Sequence, residues 1–147
     1  MTRIDFYILQ DNASEARWHF ACRLIEKAFR QGHHILVNLG NSVDGKTFDD
    51  LLWSFKPESF IPHSLVDDSS TTAAQAPVLI YQQAPAQIPF PFEQSLLINL
   101  AEDVPAVFSQ FERLSEIVIQ EENVLKNTRE HYHFYRKGGY SIEHRKI

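Results

Sequence analysis

Leu125, Arg129, Tyr132, His133 and Arg136 recur at spacings of four, three, one and three residues, so a helix would carry all five on one side. Two guanidinium groups beside a phenol ring suit a ligand that combines a carboxylate with a hydrophobic side chain. The helix is expected from about Glu121 to Lys137, with Gly138-Gly139 as its stop signal. Val124, Thr128 and Tyr135 form a neighbouring stripe suited to face a core. A plainer reading of the same pattern is a solvated helix whose last-turn cations complement the helix dipole.

Charge is segregated along the chain. Residues 123–147 hold six Lys/Arg (Lys126, Arg129, Arg136, Lys137, Arg145, Lys146) against two acids (Glu130, Glu143), a balance of +4. The preceding residues carry −9, which leaves −5 for the 147 residues. A basic segment on an acidic protein suggests a docking surface for an anionic partner. The acidic balance argues against a wide grip on nucleic acid, which needs many phosphates neutralised, so any contact with DNA is expected to be local or indirect.

Other chemistry finds little support. The turn after the first strand, QDNASEARW, contains no glycine and supplies neither a dinucleotide fingerprint nor a P-loop. Seven histidines are present, but no HExxH or Cys/His spacing accompanies them, and His131 and His133 point about 200° apart on a helix. No metal or cofactor is expected. Cys22 lies inside a helix, away from any nucleophile elbow, and reads as a small core residue. As the single cysteine it allows no internal disulfide, which fits a reducing cytoplasm. MTRIDFYILQD has too short an apolar run for a signal peptide or membrane span.

The rest of the chain, which has to hold the basic helix in place, reads as an α/β pattern. Strands are expected at Ile4 to Leu9, Ile35 to Leu39, Pro77 to Tyr81, Ser95 to Leu100 and Leu114 to Ile119, the last being the final strand. Helices are expected from a Ser14 cap to Gly32, from Phe48 to Phe55 before Pro57, and from Pro105 to Phe111. Ser64 to Ala76 reads as a polar mobile loop. The length and order imply one domain over 1–147, a three-layer α/β/α sandwich with a largely parallel sheet. QQAPAQIPFPFEQ places Ile88, Phe90 and Phe92 among three prolines. Those rings either wait for a partner or fold back as a lid on their own sheet.

Two motifs carry a specific resemblance. LLWSFKPESFIPHSL at 51–65 and REHYHFYRKGGY at 129–140, with the opening FYIL strand and the chain length, resemble the chi subunit of bacterial DNA polymerase III. The resemblance spans essentially the whole chain. It implies the sandwich fold, no catalysis, and a cytoplasmic adaptor at the replisome with two partners. One is the psi subunit of the clamp loader, for which Ile88, Phe90 and Phe92 are the candidate contact. The other is the acidic C-terminal tail of single-stranded DNA-binding protein, which ends in a hydrophobic dipeptide with a free carboxylate. Carried over, the resemblance implies a tail pocket of Trp53, Phe60, Val118, Arg129, Tyr132, His133 and Arg136. The three rings would accept the terminal phenylalanine above Val118, and Arg129 would pair with the carboxylate. By spacing alone Trp53 and Phe60 would belong to a core; Pro57 and Pro62, bracketing an extended segment, could instead hold them at a rim. His133 and Leu125 depart from the family pattern, which favours basic residues there. The alternative from another class is a small α/β nucleotide-binding enzyme with a degenerate phosphate loop, which added nucleotide at a hundred times its Kd would stabilise by about 2.7 kcal/mol.

Overall fold

The computed structural model describes residues 1–66 and 76–147. Its elements are β1 (Arg3–Ile8), α1 (Ser14–Arg30), β2 (His34–Asn38), α2 (Gly45–Ser54), β3 (His63–Val66), β4 (Val78–Tyr81), β5 (Ser95–Asn99), a 3-10 helix (Ala106–Gln110), β6 (Arg113–Val118), α3 (Glu122–Lys137) and β7 (Ser141–Lys146). The described strands form one sheet in the order β3-β4-β2-β5-β6-β1-β7, and every pairing is parallel.

Central strands such as Ile35-Leu36-Val37 and Leu96-Leu97-Ile98 are apolar at consecutive positions because both faces of the sheet are covered. On one face Ile35, Val37, Ile80, Ile98 and Ile117 meet Ala21, Cys22 and Ile25 of α1 and Phe48 and Leu52 of α2. On the other, Ile4, Phe6, Leu36, Leu97 and Leu114 pack with Phe108, Phe111 and Tyr135 of α3. The expected three-layer α/β arrangement is therefore present. Cys22 is fully buried in the first layer, and burial pushes its thiol up to about 12. Among the described residues no helix is long and apolar enough to cross a membrane.

Helix ends follow local chemistry. Glu121 caps α3 by accepting from the backbone N–H of Asn123 and Val124 at 3.1 and 2.9 Å. Gly139, at φ +81°, lets the chain reverse after α3 and send Tyr140 N–H back to the Tyr135 carbonyl at 3.2 Å. Ser14, expected to cap α1, is instead its first residue; the cap position is Ala13, which offers no side-chain bond.

Two strands correct the sequence reading. Ser64 to Val66, expected to open a loop, belong to β3; residues 67–75 of that loop lie outside the described residues. β6 is not the final strand, because β7 pairs with β1 in register from Arg3↔Ser141 to Ile8↔Lys146. Both are edge strands. β7 carries Glu143, His144, Arg145 and Lys146, and charge of this kind guards a sheet edge while erasing the apolar signal of a strand. The expected helix after Pro105 is present as the 3-10 turn.

The α3 helix is fastened by a buried polar network. Glu116 of β6 is completely buried, and its carboxylate accepts from Tyr135 Oη at 2.6 Å, Asn99 Nδ2 at 3.1 Å and His131 Nδ1 at 3.1 Å. His131 Nε2 lies 2.7 Å from the Glu102 carbonyl, so both ring nitrogens face acceptors, an arrangement that favours the imidazolium form. Burial opposes that charge, but the Glu116 carboxylate and the Glu102 carbonyl outweigh it and raise the His131 pKa. A raised folded-state pKa contributes stability that is whole below the unfolded value of about 6.5 and is lost as pH rises through the folded value. Urea denaturation is therefore expected to show this loss above pH 6.5, and His131→Ala to remove that slope and cost about 3–5 kcal/mol at acidic pH.

Candidate docking surfaces

The outward side of α3 follows from the network beneath it. With Thr128, His131 and Tyr135 turned to the sheet, Arg129, His133 and Arg136 face solvent and Leu125 and Tyr132 sit at the boundary. Tyr132 meets Phe6 of β1 edge to face at 5.9 Å and His133 at 5.5 Å, and its hydroxyl accepts from Arg136 Nη1 at 3.0 Å. Val118, 7% exposed, lies in the same cluster as Ile8, Leu125 and Tyr132. Five of the expected tail residues, Val118, Arg129, Tyr132, His133 and Arg136, are thus brought to one region. Arg129 and Arg136 form no salt bridge among the described residues. The arrangement can pair an anion and seat a ring beside it.

Trp53 and Phe60 are not part of that region. They flank the link from α2 to β3, on the face covered by α1 and α2, whereas α3 lies on the other face. β3 and β1 are also five strand spacings apart, about 24 Å. A pocket joining these rings to Arg129 is excluded by the sheet itself. The structure nonetheless places both rings at the surface, Trp53 at 51% and Phe60 at 80% exposure. The Trp53 ring rests on His63 at 4.1 Å, and His63 is fixed from below by donating from Nδ1 to the Ile61 carbonyl at 2.6 Å. Its Nε2 lies 3.3 Å from Asp49 Oδ1. Glu26 of α1 holds the link itself, accepting from Ser59 Oγ at 2.6 Å and pairing with Lys56 at 3.4 Å. The Ser59 hydroxyl, foremost among these partners, outweighs partial desolvation and lowers the Glu26 pKa. Pro57 and Pro62 bracket this link, and Ile61 anchors it in the core.

The proline-rich loop folds back on its own sheet. Phe90 lies over His34 at 5.4 Å and edge-on to Phe111 at 6.2 Å, and Ile88 packs into the same cluster. Gln110 ties the loop down, accepting from Ile88 N–H and donating to the Ala86 carbonyl, each at 3.1 Å. Of the three residues only Phe92 remains substantially open, at 38%. This is the lid arrangement of the two that the sequence left open.

At the carboxyl end of β5 and β6, where sheets of this kind hold nucleotides, the buried Arg17 donates to the Leu100 and Ile117 carbonyls at 3.2 and 2.8 Å. His144, 5.2 Å from the Tyr132 ring, escaped the sequence reading, whereas Lys146, already counted in the basic segment, is now placed in register with Ile8. Both belong to β7, whose charged sequence disguised it.

The fold is that of a parallel α/β protein with two exposed aromatic side chains, Trp53 and Phe60, on one side of the sheet and the cation-flanked Tyr132 ring on the other. The family model described as DNA polymerase III chi subunit, HolC, matches residues 1–143. The chain is 35% identical over 147 residues to the DNA polymerase III subunit chi of Pseudomonas aeruginosa, covering 100% of this chain and 98% of that protein. It is 26% identical to subunit chi of Haemophilus influenzae over 93% of this chain and 92% of that one, and 23% identical to that of Escherichia coli over 97% and 96%. The chain belongs to the DNA polymerase III chi subunit family, which places it in DNA replication.

Because Trp53 and Phe60 lie outside the core, Trp53→Ala and Phe60→Ala are each expected to leave the thermal midpoint nearly unchanged, within about 1 kcal/mol. Phe48→Ala in the buried face of α2 should cost about 3–5 kcal/mol in the same melts.

Proposed function

We propose that this protein is a non-catalytic adaptor at the bacterial replisome, in the cytoplasm, with two separate docking surfaces. The α3 surface takes the acidic C-terminal tail of single-stranded DNA-binding protein, and the Trp53–Phe60 surface takes the psi subunit of the clamp loader. The observation that carries this reading is Arg129 and Arg136, without acidic partners among the described residues, beside a Tyr132 ring that borders Ile8, Leu125 and Val118. Arg129 pairs with the tail's terminal carboxylate, the terminal aromatic ring sits against Tyr132 and Val118, and His133 and Arg136 face the upstream acids. DNA is met only through the partner.

Psi is assigned to Trp53 and Phe60 because the tail needs its ring and its carboxylate bound together, which the opposite face cannot provide. Of Ile88, Phe90 and Phe92, the residues the sequence offered for psi, the first two pack on their own sheet and Phe92 alone stays substantially exposed. Two exposed rings, Trp53 in the last turn of α2 backed by His63 and Phe60 on a link held by Glu26, make an anchor that loses little entropy on binding.

Burying one phenylalanine contributes roughly 2–3 kcal/mol and a charge-assisted bond about 1.5–3 kcal/mol, set against ordering of the tail and the cost of association. The tail contact is therefore of the order of micromolar and weakens with salt. Fluorescence anisotropy with an acidic peptide ending in Pro-Phe with a free carboxylate, alongside co-purification with psi, tests both assignments. Arg129→Ala is expected to weaken the peptide about tenfold or more and leave psi bound. The Trp53→Ala/Phe60→Ala double variant should do the reverse. Peptide binding that ignores Arg129 or ionic strength contradicts the tail assignment, and psi retained by the double variant contradicts the other.

A further inference from the structure

The sheet register lays two rows of side chains across β6, β1 and β7 on the α3 face: Glu116, Phe6 and His144, then Val118, Ile8 and Lys146. α3 covers the first row through Tyr135 and Tyr132. In the second row Val118 is buried and Ile8 half-buried, with Leu125 and Tyr132 of α3 on one flank and Lys146 on the other. Tyr132 is held from two sides, by Phe6 and by His144, whose own ring stacks on Phe6 at 5.7 Å.

Charge on β7 is sorted by face. Glu143 points to the opposite side, where it pairs with Arg145 at 3.1 Å, and Arg145 also reaches the buried Asp5 at 3.1 Å. On the α3 side β7 presents His144 and Lys146. Lys146, like Arg129, has no salt bridge among the described residues. A floor of Val118 and Ile8 thus lies between cations on α3 and a cation on β7, the complement of a peptide that places acids around an aromatic terminus.

We infer that β7 is the second wall of the tail groove, with Lys146 a second cation for the peptide's acids and His144 a positioning residue that holds the Tyr132 ring. This rests on the tail reading of α3. The test is titration of the same Pro-Phe-terminated acidic peptide against the full chain at low and high salt, with Arg129→Ala, Lys146→Glu, His144→Ala and His144→Phe. Thermal melts establish that each variant is folded. Lys146→Glu is expected to weaken binding about tenfold and to flatten its salt dependence. His144→Ala should weaken it about threefold, and His144→Phe, which keeps a ring against Tyr132, should restore it. If Arg129→Ala loses the peptide while Lys146→Glu and His144→Ala bind like the parent, β7 is no wall and the α3 reading survives alone. If the parent protein fails to bind the peptide, both readings fall.

Discussion

A carboxylate sealed under a helix has to be neutralised and hydrogen-bonded where it stands, and Glu116 meets that demand with Tyr135, His131 and Asn99. Two of the three donors come from α3, so satisfying the charge fixes how that helix is rotated on the sheet. Once His131 and Tyr135 point inward, the residues between and beyond them have no choice of side. Arg129, His133 and Arg136 must face water, and Tyr132 must lie along the edge of β1. The polar core and the cationic surface are therefore two sides of one constraint. The turn at Gly139 then returns the chain to β1, which brings His144 and Lys146 beside the same helix.

The far edge of the sheet is organised on similar lines around a different carboxylate. Glu26, half-buried on the flank of α1, gathers Ser59, Lys56 and Arg30, so the link after α2 is held although it has no regular structure. His63 supports Trp53 from beneath. The two surfaces share no side chain and lie on different faces of a sheet close-packed on both sides. Binding at one has no evident lever on the other, which suits a protein proposed to hold two partners at once.

Much of this was legible from residue order. The apolar runs at 35–39, 78–81 and 95–100 announced buried parallel strands, and the four- and three-residue spacing from Leu125 to Arg136 placed the basic stripe on one side of a helix. The inward stripe of Thr128 and Tyr135 was visible in the same way. Edge strands were not, because β3 is short and half polar and β7 is mostly charged. Nor could spacing show that Trp53 and Phe60 are separated from Arg129, since that distance is set by strand order, a long-range property that local periodicity does not contain. Glu116 gave no sign of its role, because a lone acid within a strand acquires meaning only when His131 and Tyr135 arrive above it.

The claim that most needs testing is that the two surfaces work independently. Isothermal titration of psi into this protein, alone and with the acidic Pro-Phe peptide at saturation, measures the coupling directly. The same psi affinity is expected in both titrations, with a ternary complex in sedimentation velocity. Displacement of the peptide by psi, or a psi affinity that drops when the peptide is bound, would mean that the partners compete for one surface and would contradict that independence.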